Sequence, residues 1–202
     1  MTDRKAFFNK AAGNWDKQFQ TPKLTTFLEQ FVPTFGILPG QKVLDAGTGT
    51  GILVPFLLQA VGLTGQVTAI DFAEEMVNIC RAKYAHLPNF SVAVQRIEEL
   101  NFPSGSFDVV VCFGLFPHIE NKEEALRKIN RVLKAGGRLA IAHALSSEEI
   151  EAHHHNTESI VAHDTLPDRH SMKQMLRQAG FTGTKITDEP GRYLCTSTKQ
   201  PT

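Results

Sequence analysis

The sequence has no excess of charge of either sign. Lys plus Arg and Asp plus Glu each number 21 in 202 residues, so the formal net charge is zero. With no long basic run either, a nucleic-acid or anionic-membrane surface is not expected as the main partner. No apolar run approaches the ~20 residues of a membrane-spanning helix, so no integral membrane segment is expected. Met1–Lys5 is not followed by the apolar stretch of a secretory signal. Cysteine is scarce. Cys80, Cys112 and Cys195 are odd in number, far apart and form no C-x-x-C pair, which reads as reduced thiols in a cytoplasm. Repeats, low-complexity tracts and a linker long enough to separate two domains are missing too. Residues 1–202 therefore read as one domain, monomeric or homodimeric, with 42% hydrophobic residues to build its core.

What is present is an alternation of short apolar runs and helical segments, which implies an α/β fold with helices on both faces of a mostly parallel sheet. Strands are expected at 42–47, 66–71, 90–95, 107–113 and 138–143. Helices are expected at 51–61, 73–86 and 122–134, the last stopped by Gly136-Gly137, a usual helix end. The run 107–113 is almost continuously apolar, as a central buried strand requires. A polar, His-rich stretch covers 146–170. A helix over 171–179 and a hairpin turning at Pro190-Gly191 close the chain.

The most informative segment is Asp45-Ala46-Gly47-Thr48-Gly49-Thr50-Gly51. A strand ends in an acid, three glycines follow at alternate positions, and a helix begins. Such a turn lets a nucleotide-like ligand lie against bare backbone. The spacing is not that of a dinucleotide fingerprint, which reads G-x-G-x-x-G. A second strand ends in Asp71, 20 residues after Gly51, where a carboxylate can accept from both hydroxyls of a ribose. Asp71 can also serve as a helix cap.

Together these segments resemble the class I S-adenosylmethionine (SAM) dependent methyltransferases. The stretches 98–108 and 125–138 are typical of that family, and Phe113-Gly114-Leu115 is similar to its ubiquinone/menaquinone-biosynthesis subgroup. The resemblance implies a Rossmann-like, doubly wound seven-stranded sheet whose last strand is antiparallel. It implies SAM as cofactor, S-adenosylhomocysteine as product and a small organic acceptor. By the family pattern, Asp45, Ala46, Gly47, Thr48, Gly49 and Gly51 pack on the methionine part of SAM, and Asp71 holds the ribose. Phe72 and Met76 stand on the adenine side, although Met76 can equally be core. Arg96 and Ile97 occupy the position where relatives often carry an acid and a small residue. Arginine has no acceptor, so Arg96 stacks on the adenine ring or lies on the surface. Cys112, Phe113 and Gly114 face the methionine end, and Leu115 to Ile119 shape the acceptor side. Trp15, on a helix with Phe7, Phe8 and Phe19, is placed to close over SAM or to dock that helix on the sheet.

Methyl transfer from a sulfonium needs alignment, exclusion of water and, for a protonated nucleophile, a base. His118 and His143 stand at strand carboxyl ends and are the candidate bases; each can instead only line the pocket. His153, His154 and His155 point about 100° apart on a helix, and no H-x-x-x-H pair occurs, so no metal is expected. Residues 1–35 and 145–170 read as lid and cap around a SAM-binding core at 40–144, with 171–202 as C-terminal helix and hairpin. Two other functions remain open at this point: a non-catalytic SAM-binding regulator, and a metal-dependent enzyme built on the histidines of 143–170.

Overall fold

The computed structural model describes residues 2–155 and 160–201; residues 156–159, inside the polar His-rich stretch, lie outside the described residues. Seven strands form one sheet in the order β3-β2-β1-β4-β5-β7-β6. The chain divides into two compact units, residues 1–97 and 98–202.

The first unit holds α1 (Thr2–Phe19), α2 (Pro22–Phe31), a short 3-10 turn at Val32–Phe35, β1 (Lys42–Ala46), α3 (Val54–Val61), β2 (Gln66–Asp71), α4 (Glu74–Tyr84) and β3 (Phe90–Val94). β1, β2 and β3 pair in parallel, with Asp45 beside Ala69 and Asp71 beside Val94. β1 is buried from Val43 to Ala46, the acid Asp45 included. The expected helix at 51–61 starts three residues late. Gly47, Gly49 and Gly51 all have positive φ, so the chain completes a tight turn before helical geometry can begin.

The second unit holds β4 (Phe107–Phe113), a 3-10 turn at Phe116–His118, α5 (Lys122–Val132), β5 (Leu133–His143), α6 (Ser147–His155), α7 (Arg169–Gln178), β6 (Phe181–Glu189) and β7 (Arg192–Lys199). β4 and β5 are parallel, whereas β7 runs antiparallel to both β5 and β6. The expected antiparallel last strand is thus found.

One expectation fails at the α5–β5 junction. The helix ends at Val132, and Leu133 already pairs with Phe107. The pairing then jumps to Val109 and Arg138, so that Asp108 alone lies opposite residues 134–137. Gly136-Gly137 therefore serves a bulge inside a strand and not a helix end. A Cβ on Gly137 would stand 2.8 Å from the Lys134 carbonyl and 3.1 Å from that of Asp108, so only glycine fits. Lys134 crosses the bulge to bond Asp108 Oδ1 at 2.6 Å. At the other end of the unit, α7 begins two residues early because Asp168 caps it, accepting from the N–H groups of His170 and Ser171.

Candidate active site

The glycine turn of the first unit has two buried acids beside it. Asp71 Oδ2 accepts from Gly49 N and Oδ1 from Ala73 N, both at 2.9 Å. One carboxylate thus fixes the turn after β1 to the entrance of α4. Burial pushes the Asp71 carboxyl up to about 6, against the pull of the Ala73, Gly49 and Phe72 N–H groups. Asp45 is 1% exposed. Burial pushes its carboxyl up to about 7; the nearby Thr48 hydroxyl works against the rise and the Asp71 charge adds to it. Even so, Asp45 Oδ2 and Thr48 Oγ1 are buried without a hydrogen-bond partner of normal geometry. A buried, unpaired acceptor beside a second carboxylate is costly unless a ligand supplies donors or positive charge. SAM brings a ribose diol, an ammonium and a sulfonium, so this donor set fits it.

The walls of the turn come from α1 and α4. A Cβ built on Gly49 would lie 3.5 Å from Trp15 Nε1 and 4.0 Å from Met76 Sδ. Trp15, Phe8 and Phe72 form an edge-to-face chain, with Phe8 6.0 Å from Trp15 and 5.6 Å from Phe72 between centroids. The Arg96 guanidinium lies 5.8 Å over the Phe72 ring, which gives this side chain an aromatic partner of the protein's own. Met76 and Ile97 are core residues, 1% and 5% exposed. Gly51 is required by packing, since a Cβ there would stand 2.7 Å from Tyr84 Cε2 and 2.8 Å from Cys80 Sγ.

Sequence reasoning missed how α1 is tied down. Thr50 Oγ1 donates to Asp16 Oδ1 at 2.5 Å, and Asp16 also pairs with Lys83, whose Nζ donates to the Thr50 carbonyl. Asn9 Oδ1 accepts from Glu75 N, and Lys5 pairs with Glu74. These contacts join polar residues far apart in sequence, where no periodic pattern marks them.

In the second unit, His143 ends β5, and Gly114 N, one residue past β4, bonds the Ala142 carbonyl at 2.9 Å. The Phe113 and His143 rings stack at 6.3 Å. Burial, with His118, His154 and His153 nearby, pushes the His143 imidazole down to about 3. His143 is therefore neutral across the working range and does not titrate near neutrality, contrary to the expectation that both histidines would. Its Nδ1 is buried with no hydrogen-bond partner among the described residues. His118 differs: its Nδ1 meets Asp164 Oδ2 at 2.7 Å. Cys112 is fully buried. So are Phe116 and Ile119, which belong to the core and leave Phe113 and Leu115 as the half-buried apolar residues of this segment. Of the histidine triplet only His154 turns inward, below the buried Ile150, while His153 and His155 are exposed. Among the described residues no group of three or more His, Cys, Asp or Glu is placed to hold a metal ion.

The methyltransferase domain family matches residues 44–141. A solved structure of a SAM-dependent methyltransferase from Aquifex aeolicus superimposes with a TM-score of 0.70 at 25% identity, over 85% of this chain and 88% of that one. Fold and matches together define a SAM-dependent methyltransferase of class I. The ubiquinone/menaquinone biosynthesis C-methyltransferase UbiE of Hydrogenovibrio crunogenus is 30% identical over 88% of this chain and 81% of its own length. That of Psychromonas ingrahamii is 33% identical over 73% and 69%. The chain belongs to this UbiE-related family of methyltransferases.

Proposed function

We propose that the protein methylates a small, apolar, quinone-like acceptor that carries a hydroxyl on an aromatic ring. The observation that carries this reading is the buried, unpartnered Nδ1 of His143 beside the stacked ring of Phe113. A flat wall with one unsatisfied polar atom suits a hydroxylated ring better than an alkyl amine or thiol. The relatives named above act in ubiquinone and menaquinone biosynthesis by their names, which supports the same class.

SAM, when bound, supplies a methyl group already made electrophilic by its sulfonium. The chain's own residues bind, orient and exclude water. Asp71 keeps lone pairs to spare after its two N–H bonds and is suited to the ribose hydroxyls. Asp45 offers Oδ2 to the positive end of the donor, along the backbone of Ala46, Gly47, Thr48, Gly49 and Gly51. Trp15 and Phe8 on α1 close the turn from above, and Phe72, Arg96 and Ile97 form the adenine side. α1 is a closing element in this reading, and it should gain hydrogen-exchange protection when S-adenosylhomocysteine binds. We read the protein as cytoplasmic, since Cys80, Cys112 and Cys195 are all buried free thiols, and as a monomer or homodimer without a nucleic-acid partner. No helix among the described residues is long and apolar enough to cross a membrane.

The test is turnover of SAM to S-adenosylhomocysteine against a panel of phenols, quinols, amines and thiols. Turnover with phenols and quinols is expected. Turnover confined to amines or thiols refutes the acceptor class.

A further inference from the structure

In the second unit, a chain of polar contacts ends on His118. His154 Nδ1 donates to the Asp164 carbonyl at 2.5 Å, which fixes the backbone of residue 164 from α6. Asp164 N is held by the Val161 carbonyl at 3.0 Å. The Asp164 carboxylate then meets His118 Nδ1 at 2.7 Å, with the two side chains only 7% and 16% exposed. The His154 ring packs against the His118 ring at 5.0 Å. The carboxylate, the backbone and a neighbouring ring together set the orientation of one imidazole.

We propose that Asp164 is a positioning residue that makes His118 the general base for the acceptor. The proposal rests on the acceptor reading above, because a base is needed only when the acceptor loses a proton. With Nδ1–H donating to Asp164, the lone pair of the neutral ring sits on Nε2, and the carboxylate stabilises the imidazolium once it forms. His143, the other candidate, has no such carboxylate among the described residues and burial holds it neutral, so it orients the acceptor and His118 takes the proton. Among the described residues, the titratable groups that face His118 include Asp164 on the segment before α7, His154 on α6 and His143 on β5.

The acceptor's O–H proton goes to His118 Nε2, and its electron pair is delocalised onto the ring carbon. The carbon–methyl bond forms while the sulfur–methyl bond breaks, its electron pair staying on sulfur. The ring C–H proton is then lost as the oxygen regains one, so one proton net is released.

The experiment has one arm that needs no acceptor. In the full-length protein labelled with nitrogen-15 histidine, His118 should show the Nδ1–H tautomer. In Asp164→Asn it should titrate about one pH unit lower, since a neighbouring carboxylate is replaced by a neutral amide. An unchanged titration overturns the pairing. The second arm is kinetic. With an acceptor identified by the panel, Asp164→Asn should lower kcat about 10- to 100-fold, shift the acidic limb of the kcat–pH profile to lower pH, and leave SAM affinity unchanged. Asp164→Glu should restore part of kcat if the carboxylate is what matters. It also serves where the amide variant fails to fold. An unmoved pH profile, or a loss that appears only in SAM affinity, overturns the role of His118 as base. Failure of the wild-type protein to turn over any proton-bearing acceptor would sink the acceptor reading instead, and the tautomer result would stand apart from it.

Discussion

Replacing Asp45 by asparagine should stabilise the protein while weakening its hold on SAM. The carboxyl is 1% exposed, and burial raises it from the ordinary 3.8 to about 7. At ~1.4 kcal/mol per pH unit, that rise corresponds to an upper bound of ~4 kcal/mol of destabilisation once the group is ionised. A carboxyl raised in this way holds its proton longer in the folded than in the unfolded state. Stability from this group is therefore highest below pH 4 and is lost as the pH climbs from 4 to 7. Asparagine has the same shape and no charge, so it removes the loss. If half the bound survives relaxation of the site, Asp45→Asn gains about 2 kcal/mol at pH 8, or roughly 4–8 °C in Tm for a chain of this size. At pH 4.5 the gain should shrink markedly, because the wild-type acid is then protonated. Thermal melts of both proteins between pH 4.5 and 8 provide the measurement. Calorimetry in buffers of differing ionisation heat should show proton release on SAM binding to the wild type at pH 6.5, and less for the variant. Equal melting temperatures at pH 8 with parallel pH profiles would refute the reasoning about Asp45.

Asp71→Ala should weaken SAM binding by ~2–4 kcal/mol and also loosen the turn, since the Gly49 and Ala73 N–H groups both lose their acceptor; calorimetry and a melt separate the two effects. Gly51→Ala should cost about 2–4 kcal/mol in chemical denaturation, because its methyl meets Tyr84 and Cys80 and its φ is +90°. His143→Ala should lower turnover more than SAM affinity in steady-state kinetics, as its ring stands with Phe113 at the end of β5.

The parts of the fold that depend on continuous apolar runs were legible in the chain. β2 and β4 fall on their expected residues because each carries a mostly buried apolar stretch, Ala69-Ile70 before Asp71 and Val109 to Cys112, between turn-forming segments. The start of β5 was not legible. Lys134, Ala135, Gly136 and Gly137 have the composition of a helix end, and only the pairing of Leu133 with Phe107 makes them a bulge. The glycine turn was readable because tight turning with positive φ demands glycine at fixed spacing, and Asp71 because it closes an apolar strand just before a helix. Asp164 and His154 were not, since a carboxylate reaching back 46 residues to a histidine leaves no periodic trace. The same holds for Asp16, whose bonds to Thr50 and Lys83 exist only once α1 has docked. His118 and His143 looked alike in the sequence, and only their neighbours distinguish them.

The bulge between Leu133 and Arg138 also sets an address. Every residue of β5 beyond it is counted from that point, and β7 and β6 are hydrogen-bonded to β5 in turn. Removing one of residues 134–137 would leave the ladders intact but slide three strands together by one step, about 3.3 Å, against β4. Alternation would then turn each side chain of that block to the opposite face relative to β4, and Ala144 would arrive where His143 now stands. Length variation in this bulge is thus a route by which such a chain exchanges the side chain at the end of β5 without losing its fold.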